Sequence, residues 1–347
     1  MPDYHSSEAF MHRRAVWWLV TATAAWGLSF PLQKMLAMEQ QQLAPAAGSW
    51  FLTSWITCLR SLIATLVLLL WKPNLLRALT PPERRQGVLL GLIGGLGLML
   101  QADGLAHTNA STSAFLTQAY CVLLPMWDSI SHRRLPGWRQ VGCAGLVLWG
   151  ISILSGFDWR TLHMGRGEWE TLGCALASTV WIVLLEQPRY AKNRVMPVTL
   201  LMFFGFAVWS APVAVLAAPQ VADLLRVVAS PIAVAQLSVL SLLCTAFAYG
   251  CMNLWQPKVS ATEAGLIYCI EPVCAASFSL FLPEILSRWT GVPYPNESLT
   301  GALLAGAILI TGANVFLQIT WSPRTSETAL ALNSESVTQH ERRDAQA

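Results

Sequence analysis

Ten apolar runs, each close to the length of about 20 residues that a helix needs to cross a bilayer, follow one another along this chain. They lie at 15–36, 50–71, 87–105, 112–130, 138–155, 168–186, 197–218, 231–255, 262–282 and 299–320. In hydrocarbon every backbone N–H and C=O must find its partner inside its own segment, so such runs fold as helices. Composition agrees: 12% of residues are charged, 54% are hydrophobic, and mean hydropathy is +0.48. A soluble domain carries about 25% charged residues. The expected fold class is therefore an all-α polytopic membrane protein with ten transmembrane helices. Short links keep sequential helices adjacent.

Residues 1–14 are polar and end in Arg13-Arg14, as a secretory leader would. The apolar run continues past Trp26, however, so 15–36 reads as a retained span. The tail at 321–347 is rich in Ser, Thr, Glu, Gln and Arg and is expected to be disordered. Lys and Arg placement tests the count of spans. With a cytoplasmic N-terminus, sixteen of the 22 Lys and Arg fall on the inner side, four fall on the outer side, and Lys34 and Arg60 lie within spans. That bias supports ten spans with both termini cytoplasmic, because an odd helix would scramble it.

The order of elements suggests two related halves, 15–155 and 168–320, joined by an outer linker at 156–167. TNASTSAFL (Thr108 to Leu116) precedes the fourth run, and KVSATEAGLI (Lys258 to Ile267) precedes the ninth. Each is followed by a glycine-rich run, AGLVLWG (Ala144 to Gly150) or AGAILITG (Ala305 to Gly312). A repeat of five helices must enter the membrane in opposite senses. That is the inverted repeat of secondary transporters, with the substrate site near the midplane.

Two ionisable residues fall deep within runs. Glu271 lies about 14 Å into a continuous 262–282 helix, and Arg60 about 15 Å into the second helix. Such residues mark functional sites by default, and they also serve as pins between helices. Glu271 is the candidate for a coupling or substrate-cation group, and Arg60 for anion or substrate binding. Pro272 costs the ninth helix one backbone bond, tolerated where protein or a cavity satisfies the freed carbonyl.

With WGLSF (Trp26 to Phe30), Arg60 and the small and apolar residues after it, LQADGLAHTNASTSAFLTQAYCVLLP (Leu100 to Pro125) and SATEAGLIYCIEPV (Ser260 to Val273), the chain resembles the drug/metabolite transporter superfamily, specifically its EamA-type ten-helix permeases. The resemblance implies two inverted five-helix repeats in a bacterial plasma membrane. It implies a central cavity lined mainly by the third, fourth, eighth and ninth helices, with help from the first and sixth. It also implies alternating access and export or exchange of small organic molecules such as amino acids or lipophilic solutes. The chain departs where the family's ninth helix usually ends in Gly-Glu: here the end is LPE (Leu282 to Glu284), followed by a long outer loop at 283–298.

On the presumed cavity helices Gln101, Gln118, Tyr120, Tyr249 and Asn253 are candidates to hydrogen-bond a substrate, or equally to bond between helices. Trp26 and Trp181 are candidate aromatic walls, including for a cation; packing is the alternative, favoured for Trp181. Asp103, Asp128, Glu168 and Glu186 fall near span ends and read as solvated. The eight cysteines all lie inside apolar runs without a CxxC pair, and the six histidines are scattered. No metal, cofactor or nucleic acid is therefore expected. The glycines at 91, 94, 95 and 97 have no strand before them, so they form no phosphate loop.

The expected partners are the bilayer, a small-molecule substrate and protons as a candidate coupling ion, with a homodimer left open. A carrier, not an enzyme, is the expected function. The alternatives are a membrane enzyme, which would need a catalytic cluster, and a passive channel or membrane sensor; a channel would line its pore with rings from several subunits.

Overall fold

The computed structural model describes residues 3–77, 79–131, 133–156, 164–185, 187–259 and 261–320. The expected disordered tail at 321–347, most of the linker at 156–167 and Glu186 lie outside the described residues. The described residues form helices and turns, and no strand occurs among them. The helices are α1 (Asp3–Leu43), α2 (Ser49–Trp71), α3 (Pro81–His107), α4 (Ala110–Thr117), α5 (Tyr120–Ser131), α6 (Trp138–Leu154), α7 (Arg166–Leu185) and α8 (Val195–Ala217). Then come α9 (Asp223–Arg226), α10 (Pro231–Ser241), α11 (Ala248–Trp255), α12 (Ala261–Tyr268), α13 (Glu271–Ser279), α14 (Leu282–Thr290) and α15 (Gly301–Thr320). A π-helical stretch, Leu242–Phe247, joins α10 to α11 without a loop.

Among the described residues seven helices are long and apolar enough to cross a membrane, or eight if one bent pair counts as a span. The sequence expects ten. The difference falls where helical bonding is interrupted, in α4 and α5, and at α6, which has 17 residues. The expected continuous helix at 262–282 is likewise replaced by α12 and α13, with the interruption at Cys269 and Ile270. Pro272 then falls in the first turn of α13, and having no N–H it leaves the carbonyl of Tyr268, four residues earlier, to another partner.

Three further expectations are corrected. The polar segment expected to precede the first helix is itself helical from Asp3. Ala15, Leu19, Ala22 and Ala25 recur at helical spacing and pack on Ala248, Cys251 and Trp255, with Met11 added at the N-terminal side. The outer loop expected at 283–298 begins as α14, bent by 53° from the helix before it and capped by Gly291 in the left-handed conformation, φ 72°. A strap without regular secondary structure, 291–300, follows. Asp103 and Glu168 are not solvated: they are 0% and 9% exposed. Asp103 is bound by Arg166, and Glu168 accepts a 2.6 Å bond from Thr108 Oγ1. Spacing along the chain cannot show that α3, α7 and the α3–α4 turn press these ends together.

At the opposite end of α3, Thr80 and Glu83 form a capping box. Buried Glu83 also receives Arg194 Nε at 2.8 Å and Nη2 at 2.9 Å, tying α3 to the start of α8. Between these ends α3 and α8 meet backbone to backbone. A Cβ on Gly91 would lie 2.8 Å from Gly205 Cα, a small-residue contact of the kind that drives helix association in lipid. Gly91→Ala is expected to lower the thermal midpoint of purified protein, costing about 1–3 kcal/mol because no flexible side chain can yield. Gly142→Ala, in open space on α6, is the control and should change little.

A central cavity at two interrupted helices

Gln118 and Ala119 separate α4 from α5. The chain tightens there, with Gln118 N–H donating to Phe115 O at 3.2 Å and Ala119 N–H to Leu116 O at 3.0 Å. Cys269 and Ile270 separate α12 from α13 in the same way, with Ile270 N–H donating to Ile267 O at 3.0 Å. Each interruption follows an eight-residue helix. Carbonyls left over at such points need partners within the protein. The Tyr268 carbonyl receives Gln118 Nε2 at 3.0 Å, and the Gln118 carbonyl receives Asn314 Nδ2 of α15 at 3.3 Å. The first interruption thus satisfies the second through the Gln118 side chain, and α15 satisfies the first. Tyr120 and Glu271 are the first residues of the two helices that resume.

Both face one cavity of about 250 Å³. Trp26, Arg60, Gln101, Trp181 and Tyr249 line it too. So seven of the nine sequence candidates meet at one place. Gln118 and Asn253 do not. Gln118 is 1% exposed and spent on the Tyr268 carbonyl and on Cys121 Sγ. Asn253 donates to Thr199 Oγ1 of α8. Gln101 makes a long 3.4 Å bond to Thr117 Oγ1.

Arg60 is 4% exposed. Its Nη1 donates to Gln33 Oε1 at 2.6 Å and its Nε to Thr245 Oγ1 at 3.0 Å. Thr245 lies in the π-helical stretch and bonds back to Leu240 O, five residues earlier, a local insertion typical of functional sites. Among the described residues no carboxylate lies within ion-pair distance of Arg60. Nor does the Glu271 side chain have a hydrogen bond or ion pair among them. A buried cation held by neutral groups and a partnerless carboxyl therefore share one cavity without pairing.

The walls are aromatic. The Trp26 ring centroid lies 5.2 Å from that of Tyr249 and 5.8 Å from that of Tyr268, within the range of favourable edge contacts. Gln33, Thr245, Tyr268 and Gln318 were not among the sequence candidates. Gln33, Thr245 and Gln318 are polar residues inside apolar runs, the signal that could have found them. Tyr268 stands in SATEAGLIYCIEPV, three residues before Glu271. At one end the cavity reaches Leu185, Gln256 and Gly265, where α7 and α11 end and α12 begins. Toward the other end, on the side where α3 turns into α4, it extends as far as Gln101 of α3 and Thr117 of α4. No group of three or more His, Cys, Asp and Glu among the described residues is placed to hold a metal ion.

Removing either bond that closes the interruptions should destabilise the fold. Gln118→Leu and Asn314→Leu are each expected to cost about 1–3 kcal/mol, the penalty of a buried acceptor left unsatisfied. Tyr120→Phe, whose hydroxyl takes no part in these ties, should keep the midpoint in thermal unfolding.

A family model described as the EamA-like transporter family matches residues 13–156. An "Uncharacterized transporter" from Archaeoglobus fulgidus is 27% identical over 239 residues, covering 67% of this chain and 70% of that relative. A solved structure described as "Crystal structure of protein" aligns over 91% of this chain and 96% of its own, at 18% identity and a TM-score of 0.48. The apolar helices make the chain a multi-pass membrane protein, and its residues 13–156 are similar to the EamA-like transporter family.

Proposed function

We propose that this protein is a secondary active transporter, an exporter or exchanger of small organic metabolites, working by alternating access between two inverted five-helix repeats. The observation that carries the proposal is that Arg60 and Glu271 line one aromatic-walled cavity without an ion pair to each other or to another charged group. Buried charge is costly unless a partner of opposite sign arrives. A zwitterionic solute supplies both signs at once: its carboxylate suits Arg60, and its ammonium suits Glu271 and the faces of Trp26 and Tyr249. A cavity of about 250 Å³ suits an amino acid better than a lipid or a nucleotide. The sequence holds no nucleotide-binding motif, so an ion or solute gradient is the energy source, with Glu271 the candidate proton site.

Two features support the repeat arrangement. The fourth and ninth runs are interrupted alike, each after eight helical residues, and Tyr120 and Glu271 occupy equivalent starts. The Lys and Arg bias supports an orientation in a bacterial plasma membrane with both termini cytoplasmic. In that orientation the cavity reaches toward the cytoplasm, since α7 and α11 end there.

Counterflow in proteoliposomes tests the proposal. Labelled amino acids should enter saturably and faster when the lumen is preloaded, and a pH gradient should alter the rate. Arg60→Gln and Glu271→Gln should each cut uptake by about tenfold to a hundredfold, the worth of one hydrogen bond to a charged group. In Glu271→Gln the effect of the pH gradient should vanish. Wild-type uptake in both variants would move the binding site elsewhere, and flux that never saturates would indicate a channel.

A further inference from the structure

The geometry points to Glu297 as a latch that closes the α3–α4 end of the cavity by holding the start of α4 to the end of α13. The strap that carries it is firmly seated on one side. Val292 and Tyr294 are 3% and 6% exposed and pack on α1, α10 and Leu286 of α14. Ser287 brackets Tyr294, donating to its carbonyl at 2.9 Å and accepting from its N–H at 2.8 Å. Asn296 accepts from Glu284 N–H at 2.9 Å. Beyond this anchored part the strap crosses the molecule.

Glu297 makes the crossing. Its backbone N–H donates to Ser279 O at 2.9 Å, at the last residue of α13. Its carboxylate accepts from Ala110 N–H at 2.7 Å, from Ser111 N–H at 3.4 Å and from the Ser111 hydroxyl. These are the N–H groups that a helix start leaves without intrahelical partners. A carboxylate there also meets the favourable end of the helix dipole. One residue thus joins α4, which the interruption at Gln118 and Ala119 separates from Tyr120, to α13, which Glu271 begins. Glu271 begins α13 eight residues before Ser279, about 12 Å along the helix. A solute that shifts Glu271 would pull on the latch through α13.

Adjacent contacts close the same end. Lys34 donates to the Thr108 carbonyl, Thr108 bonds to Glu168 of α7, and Ser113 meets Thr171 at 3.3 Å. The cover is nonetheless loose. Hollows of about 430 Å³ and 390 Å³ flank Lys34, the first lined by Asn109, Ser111 and Glu297 and the second by His107 and Val292. The tip from Glu297 to Thr300 has room to lift while Val292, Tyr294 and Asn296 stay anchored. Glu297 is thus a positioning residue and takes no part in binding the solute.

Sided thiol labelling tests the latch. A reporter is placed in the cavity as Gln101→Cys, and a membrane-impermeant maleimide is added from each side of sealed vesicles in turn. The chain without the reporter gives the background; seven of its eight free thiols are buried and Cys274 is partly so. Adding Glu297→Ala should speed labelling from the strap side about fivefold or more, with Glu297→Gln between that and the parent. Labelling from the other side should not rise. An unchanged strap-side rate, or an equal rise from both sides, would overturn the latch.

A second arm pairs Ser111→Cys with Glu297→Cys. Oxidation should stop both strap-side labelling and counterflow, and reduction should restore them. Continued counterflow with the crosslink formed would overturn the proposal. The latch's effect on transport rests on the carrier reading, but the labelling does not. A chain that moves no solute would sink that reading and still leave the latch decided.

Discussion

The structure depends on how backbone carbonyls released inside the membrane find partners. A helix that crosses hydrocarbon unbroken satisfies its own backbone, and one that is interrupted does not. Here the interruption at Cys269 and Ile270 is met by Gln118 and the interruption at Gln118 and Ala119 by Asn314. Because the Gln118 side chain reaches the Tyr268 carbonyl, the two interruptions must sit side by side. That adjacency makes a cavity between them and sets Tyr120 and Glu271 on its wall. Gly27 fixes the approach of α1: a Cβ there would lie 2.9 Å from the Glu271 carbonyl. Trp26, its neighbour, is thereby set against Tyr249 and Tyr268.

Much of this was legible in the sequence. Apolar length gave the membrane class, and the rarity of mid-run charge singled out Arg60 and Glu271 before any contact was known. Seven candidates converge on one cavity because polar and aromatic residues deep in apolar runs seldom face lipid. The misses have physical causes. Gln118 looks like a cavity group from its position, but it satisfies the carbonyl of Tyr268, four residues before Pro272; the proline shows that this carbonyl is freed and not which helix meets it. Asp103 sits near a run's end, where solvent is the natural expectation. It is buried by Arg166, 63 residues away in sequence. Gln33 and Thr245, which hold Arg60, required knowing that α1 and the π-helical stretch pass beside α2. The strap was legible as an insertion with no hint that Glu297 would reach α4.

The two ends of the bundle are built differently. At the strap end α1, α4, α7 and α13 are tied through Lys34, Thr108, Glu168, Ser111 and Glu297. At the other end α3 and α8 are clamped by Glu83 and Arg194, while the cavity reaches Leu185, Gln256 and Gly265 beside that clamp. On the carrier reading this is one limiting state of an alternating cycle. The mobile parts would be the polar ties at the strap end, which can break and re-form in water. The Gly91–Gly205 contact would be the fixed one, since backbone atoms in van der Waals contact leave no slack.

The central claim is that Arg60 and Glu271 together select a solute bearing both charges, and direct binding of a matched charge series tests it. One amino acid would be titrated against purified protein beside its N-acetyl derivative, which keeps the carboxylate, and its amide, which keeps the ammonium. The zwitterion should bind tightest, with Arg60→Gln abolishing its advantage over the amide and Glu271→Gln abolishing its advantage over the N-acetyl form. Equal affinity across the series, or a preference that neither variant alters, would contradict it.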